Sequence, residues 1–372
     1  MKKTILLFAM GIAWFAALRP SAVRGCTSWM VFSDLTGNGT NILHKNRDSI
    51  SRKIVVTLSP EDSPRKWIAL GSGGINMGLN GSGLAGIMNS GERSADPPDE
   101  SRRKNSPGMM RAVLESCDTA AQAAAKLKEL TEAGTYSLGR TGSIFLFMDN
   151  REGYVCEAIS QTVCTVQRCD HGYVVRASNW RNPDMYRHWG NDIRIHLKAE
   201  ARAFMAVAGL NRILTEHGRI ALPEIFALSR HFEMPTGSPL PRSVCGETTC
   251  STASIEIDRQ YPETLSTMYV TIGHPRHTVY LPIPVGATRV LPAMKNRKWC
   301  NAAFDRLREL KLNAPIPPEW SAFEKESMAC YAEARAAARK RLDEGDRAGA
   351  VKVLNAAAEK IWRAAAALLG IR

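Results

Sequence analysis

Strand-forming segments in this chain come in tight groups with helices between the groups, and that order decides the fold class. Residues 26–57, 66–90, 141–168, 172–179 and 251–281 carry alternating or β-branched apolar runs broken by glycine- and asparagine-rich turns. Helical periodicity falls between the groups: over Ser106–Glu132, with Pro107 close to its start, and over Glu200–His217 and Leu222–His231. The order predicts an α+β protein, and strand counting alone permits several layouts of that class. With 44% hydrophobic and 23% charged residues, the 372-residue chain can bury a core, which excludes wholesale disorder.

From about Met294 the strand pattern stops and Ala, Arg, Lys and Glu dominate. Pro315, Pro317 and Pro318 mark a linker. Glu324–Glu344 and Arg347–Leu369 then read as two amphipathic helices about a turn at Glu344-Gly345-Asp346. The expected organisation is an export signal over 1–25, a main domain over 26–294 and a helical extension over 295–372. The extension packs on the core or mediates association, so a homo-oligomer is among the expected partners. The basic faces lack interleaved aromatics, and no nucleic-acid partner is expected.

The first 25 residues have the layout of a secretory signal: Lys2 and Lys3, an apolar run over Ile5–Leu18, then Val23-Arg24-Gly25 with small residues at the −3 and −1 positions. The run is too short for a lasting membrane span, so a secreted or periplasmic location is expected. Cleavage after Gly25 would remove four cations (Lys2, Lys3, Arg19, Arg24) from a formal +13 and leave +9. Nine cysteines fit an oxidising compartment, with Cys164/Cys169 and Cys245/Cys250 as the close disulfide candidates and one cysteine left over. Their C-x4-C spacing does not suit zinc, and neither metal nor cofactor is expected.

Cys26 is the candidate for the leftover cysteine. Cut after Gly25, the chain would carry a thiol and a free α-amine on one residue. An α-amine with a pKa of about 7.7–8.0 can take a thiol proton near neutral pH, which supplies nucleophile and base together. Two other readings stay open at this point: a disulfide partner, and a lipid-carrying cysteine after Val23-Arg24-Gly25, with Arg24 a poor fit to that pattern. Beyond Cys26, the segments Thr27–Ser33 and Asn41–Ser49 read as a hairpin with Gly37-Asn38-Gly39 at its tip. The hairpin brings Lys45-Asn46-Arg47-Asp48 beside Cys26. There Asp48 can orient a protonated amine, and Lys45 or Arg47 can lower the thiol pKa.

Cys26-Thr27-Ser28 followed by Lys45-Asn46-Arg47-Asp48 resembles the opening of the cysteine N-terminal nucleophile hydrolases. That group includes choloylglycine hydrolases, penicillin V acylases, C69 dipeptidases and C45 acyl-coenzyme A:6-aminopenicillanate acyltransferases. Lys45 stands where many members have arginine. Gly78-Leu79-Asn80-Gly81-Ser82-Gly83-Leu84-Ala85-Gly86-Ile87-Met88-Asn89 is similar to the family's glycine-rich segment, and Gly172–Trp180 is similar to its strand ending in asparagine. Thr271-Ile272-Gly273-His274-Pro275 resembles its closing segment.

The resemblance spans roughly residues 26–285 and implies an αββα sandwich of two antiparallel sheets, the N-terminal nucleophile fold. It implies Cys26, Asp48, Asn179 and Asn89 as catalytic residues, with the two asparagines at the oxyanion, and Lys45, Arg47, Asn80 and Arg242 in binding or support. The implied activity is hydrolysis of a linear, non-peptide amide of a small molecule through a thioester. Acyl transfer, dipeptidase activity and a lipid-anchored, non-catalytic binding protein are the alternatives.

Overall fold

In a computed structural model, the described residues are 25–95, 104–160, 162–233 and 243–371. The expected signal up to residue 24, and Arg242, lie outside them. The strands are β1 (Thr27–Val31), β2 (Asn41–Asp48), β3 (Val55–Leu58), β4 (Trp67–Gly71), β5 (Met77–Asn80), β6 (Ala85–Ser90), β7 (Lys104–Asn105), β8 (Tyr136–Ser137), β9 (Ser143–Met148), β10 (Gly153–Ile159), β11 (Val163–Cys169), β12 (Tyr173–Arg176), β13 (Thr249–Ile257), β14 (Thr267–Ile272) and β15 (Leu281–Pro284). The longer helices are α1 (Ser106–Ser116), α2 (Ala120–Glu132), α3 (Ile193–His217), α4 (Leu222–Ser229), α5 (Lys298–Leu310), α6 (Pro318–Asp343) and α7 (Arg347–Leu368).

Two sheets carry the fold, in the orders β12-β1-β2-β13-β14-β15 and β11-β10-β9-β6-β5-β4-β3. Every neighbour pair in both is antiparallel. Side chains alternate across each strand. On β1, Ser28 and Met30 face the second sheet, and a Cβ on Gly153 of β10 would stand 2.6 Å from the Met30 sulfur. Trp29 turns the other way and stacks on its cross-strand partner His44, with ring centroids 4.0 Å apart. On β9, Ile144, Leu146 and Met148 join the central core, while Phe145 and Phe147 pack with Met109, Val113 and Leu127 of α1 and α2. Helices α3 and α4 cover the first sheet over β1, β12 and β13. The protein is thus α+β with four layers, helices outside two face-to-face antiparallel sheets, followed by C-terminal helices.

The helix expected over Ser106–Glu132 is two helices. Cys117 is extended (φ −113°, ψ 145°), and Thr119 caps α2 by accepting from Gln122 N while the Gln122 side chain bonds back to it. The strand expected from Thr267 to Tyr280 ends at Ile272, because Gly273 turns with φ +111°. The C-terminal pair forms as expected about Gly345, and α5 precedes it. Trp320, Tyr331, Leu354, Ile361 and Trp362 belong to the same buried cluster as the first sheet. Glu324 of α6 takes a bidentate bond from buried Arg230 (2.6 and 2.7 Å) and accepts from Tyr280 N at 2.7 Å.

The expected disulfides do not form: all nine cysteines are free. Cys164 and Cys169 lie five positions apart on β11, hence on opposite faces and about 16 Å apart along an extended strand, beyond bridging distance. The Cys245 thiol lies 3.8 Å from His274 Nε2, and Cys250 accepts from Arg47 instead.

Candidate active site

Cys26 sits at the head of β1, buried, where the first sheet's β12, β1, β2 and β13 run side by side. Continuing the registers Ser28↔Arg176 and Ser28↔Lys45 places Cys26 opposite Ser178 on one side and Arg47 on the other. The Cys26 backbone N–H donates to Ser178 Oγ at 3.1 Å. The carbonyl of the residue before it, Gly25, accepts from Arg202 Nη1 of α3 at 2.7 Å.

Lys45 shares the inner face of β2, as the alternation demands. Its side chain is buried and donates to the Met88 carbonyl of β6, and it couples electrostatically to both Cys26 and Asp48. Burial lowers the Lys45 pKa; the Cys26 sulfur opposes that shift and the Arg47 guanidinium adds to it. Arg47 itself turns to Cys250 Sγ (3.3 Å) and Ser72 Oγ (2.9 Å).

Asp48 accepts from Thr249 Oγ1 at 2.7 Å and lies 3.5 Å from Arg202 Nη2. Burial pushes its carboxyl up, against the pull of Arg202. Asp48 therefore reaches the Gly25–Cys26 linkage through Arg202, while Ser178 holds the Cys26 nitrogen itself. The remaining motif residue, Asn46, clamps the sheet to α4: its Nδ2 donates to the carbonyls of Ser229 (2.7 Å) and Val244 (3.3 Å).

Asn89 is the last but one residue of β6 and faces the first sheet. It accepts from Ser28 Oγ at 2.8 Å and donates to the Arg176 carbonyl at 3.4 Å, joining the two sheets two residues from Cys26. Asn179 follows Ser178 and is fully buried; its Nδ2 donates to Glu200 of α3, and its Oδ1 has no partner. Three carboxylates brace this loop. Glu92 accepts from Trp180 N (2.9 Å) and bonds to His196 (2.8 Å); Glu157 accepts from Arg181 N (3.0 Å) and Asn182 N (3.1 Å); Glu200 also takes Arg181 (2.7 Å). Burial raises the pKa of both Glu92 and Glu157.

Asn80 is not brought to this cluster. It closes the opposite end of the β5–β6 hairpin from Asn89, about 16 Å along the strand. Its Nδ2 donates to Leu114 and Cys117 carbonyls and its Oδ1 accepts from Ser82 and Leu84. His274 and His277 are buried, with pKa values lowered to about 3 and about 4, first by burial. The two clefts described, around Asn38, Glu256 and Arg335 and around Asp258 and Arg339, lie at the far end of β2 and β13 from Cys26. Among the described residues no acidic, histidine or cysteine cluster suits a metal ion, and no helix is long and apolar enough to cross a membrane.

Sequence reasoning missed Ser178, Arg202, Glu200 and Thr249. Ser178 was within reach, as the neighbour of Asn179 on a strand end. The others sit on elements whose contact with β1 only the packing reveals.

No protein-family model and no curated protein matches the chain. Among solved structures, a variant of conjugated bile acid hydrolase from Clostridium perfringens is similar, with 11% identity over 70% of this chain and 92% of that one and a TM-score of 0.47. Penicillin V acylase from Agrobacterium tumefaciens is similar at 13% identity over 70% and 86% of the two chains, with a TM-score of 0.45.

Proposed function

We propose that this chain is an exported cysteine amidohydrolase of the N-terminal nucleophile type, which cleaves a linear, non-peptide amide of a small molecule through a thioester on Cys26. The observation that carries this reading is the setting of Cys26: a buried thiol at the head of β1, with buried Lys45 on the same face of the neighbouring strand, on a backbone nitrogen held by Ser178. The sequence motif around Cys26 and the signal-like segment before it support the same reading. Cys26 attacks the carbonyl, the amine leaves, and water releases the acid. Asn89 and Asn179 belong to the site's walls, the first binding the sheets together and the second held by Glu200.

The test combines the intact mass and N-terminal sequence of the exported protein with a screen of N-acyl amides. The expected product begins at an unmodified Cys26, turns over at least one amide, and loses that turnover in Cys26→Ser with the fold intact. A lipid on Cys26, or full activity in Cys26→Ser, would sink the proposal.

A further inference from the structure

Helix α3 carries two apolar stripes, and the fold uses one of them. Ala199, Ala203, Ala206, Leu210 and Ile213 face inward and belong to the central core. Ile193, Leu197 and Phe204, at i, i+4 and i+11, share an outer face and stand 55%, 46% and 68% exposed. A surface helix ordinarily turns polar side chains outward. Tyr186, in the short 3-10 turn Pro183–His188, continues the patch. It is 43% exposed, its ring meets Trp189 edge-on at 6.4 Å, and Trp189 packs on His196 of α3 at 5.3 Å. Half of the eight large apolar side chains exposed among the described residues thus fall within residues 186–204. Scattered ones would need no explanation, whereas a cluster marks a contact surface.

The charge beside this patch is one-sided. Arg194 and Lys198 form the row next to it at i and i+4, and Arg212 lies further along the same side. No ion pair takes any of the three among the described residues. The guanidiniums of Arg194 and Arg202 add to burial in lowering the Lys198 pKa. The neighbouring acids are occupied: Asp184 by Arg187 at 3.1 Å, Asp192 as the α3 cap on Ile195 N at 3.2 Å, and Glu200 by Arg181 at 2.7 Å. We propose that α3 docks the protein on an anionic lipid surface, with Ile193, Leu197, Phe204 and Tyr186 entering the headgroup boundary and Arg194 and Lys198 meeting phosphates. An apolar face with cations along its margin is the build of an interfacial helix. A second copy fits less well, because antiparallel pairing of two such stripes would set Arg194 and Lys198 against their own copies.

The docking does not depend on the role of Cys26; its consequence for the substrate does, and rests on the proposed function. Two residues beside the inward stripe reach the site: Arg202 donates to the Gly25 carbonyl, and Glu200 holds Asn179. A bilayer on the outer face of α3 would lie about one helix diameter, roughly 10 Å, from the head of β1. The substrate class this favours is an amide with a long aliphatic acyl chain, drawn from the lipid surface.

The test sediments the exported protein, its N-terminus fixed by intact mass, with vesicles of equal parts phosphatidylglycerol and phosphatidylcholine or of phosphatidylcholine alone. The parent is expected to bind the mixed vesicles. The apolar double variant, Leu197→Ser with Phe204→Ser, should weaken that binding by about tenfold or more, with Tm unchanged because both side chains are exposed. The charge double variant, Arg194→Gln with Lys198→Gln, should weaken it by roughly fivefold per cation, on the mixed vesicles alone. A parent that binds neither vesicle, or binding that the apolar double variant leaves intact, would overturn the docking. So would a parent dimer that this variant dissolves, which would make the stripe an interface between copies. Turnover reads the substrate class. Hydrolysis of dodecanoyl-4-nitroanilide carried in mixed vesicles should fall in the apolar double variant, while acetyl-4-nitroanilide in solution stays within about twofold. Equal effects on the two probes would overturn the lipid-borne substrate. Binding without turnover of either probe would remove the hydrolase reading and leave the docking standing.

Discussion

Cys26 and Ser178 face each other across β1 and β12, and the Cys26 backbone nitrogen donates to Ser178 Oγ at 3.1 Å. That bond fixes the start of β1, and so the direction in which the thiol leaves it. The nitrogen is a donor whether it is a peptide N–H or a free ammonium, so Ser178 serves both forms of the chain. Ser178→Ala should lower kcat for the best amide about tenfold, equivalent to ~1.4 kcal/mol for one lost hydrogen bond, with Tm almost unchanged. A variant with wild-type kcat would remove Ser178 from the site.

Asn179 is held from the helix side. Its Nδ2 donates to Glu200, whose other oxygen takes Arg181 Nη2 at 2.7 Å. A carboxylate can only accept, so this contact sets which end of the Asn179 amide points where. Glu200→Ala frees that amide and should reduce kcat by tenfold or more. Glu200→Gln keeps an acceptor oxygen and should recover most of the loss. Comparing kcat and KM across the pair checks the assignment: equal losses in Ala and Gln would show that the charge, rather than the held amide, matters.

What was legible in the sequence was whatever is periodic or local. The strand segments came from alternation, their arrangement in two antiparallel sheets from the resemblance, and the hairpin that sets Lys45 beside Cys26 from turn chemistry at residues 37–39. Asn46, though part of the motif, revealed its clamp on Ser229 and Val244 only in three dimensions. Arg202 and Glu200 are indistinguishable in sequence from the other charges of α3. The break at Thr119 was missed because an unbroken apolar period runs across it, and a capping box there overrides the period. The Cys164/Cys169 spacing misled for a geometric reason: odd separation on one strand places the thiols on opposite faces.

His44 makes the fold sensitive to acid. Its Nδ1 bonds to Ser254 Oγ (2.7 Å) and its Nε2 to Asn46 Oδ1 (2.8 Å). Since Asn46 Nδ2 is committed elsewhere, Oδ1 must accept, and Nε2 carries the hydrogen. Burial lowers the His44 pKa to about 3, so between pH 3 and an unfolded value near 6.5 the unfolded chain binds one more proton at this residue. The stability of neutral His44 is complete above about pH 6.5 and is lost as pH falls toward 3, at up to ~1.4 kcal/mol per pH unit. Urea unfolding between pH 7 and 4 should show a slope that His44→Gln reduces by about that amount. An unchanged slope would mean that other groups, such as His274, carry the acid sensitivity.

The C-terminal helices cover sheet, and Trp362 is where this can be weighed. It is buried against β15, and its Nε1 donates to the Pro282 carbonyl at 2.7 Å. A proline on that strand offers a carbonyl but no N–H, so the indole satisfies a strand-edge acceptor while its rings fill the space between α7 and the sheet. Trp362→Ala opens a cavity and leaves that carbonyl unpaired, which should destabilise the protein by ~3–5 kcal/mol. Trp362→Phe keeps most of the volume and loses only the donor, for a loss of ~1–2 kcal/mol. Denaturant midpoints for the two variants check the split. If α6 and α7 were an independent appendage, Trp362→Ala would leave the main unfolding transition in place and produce a separate, earlier one. A single transition shifted as a whole is the expected result, because Trp362 and the first sheet share one buried apolar cluster.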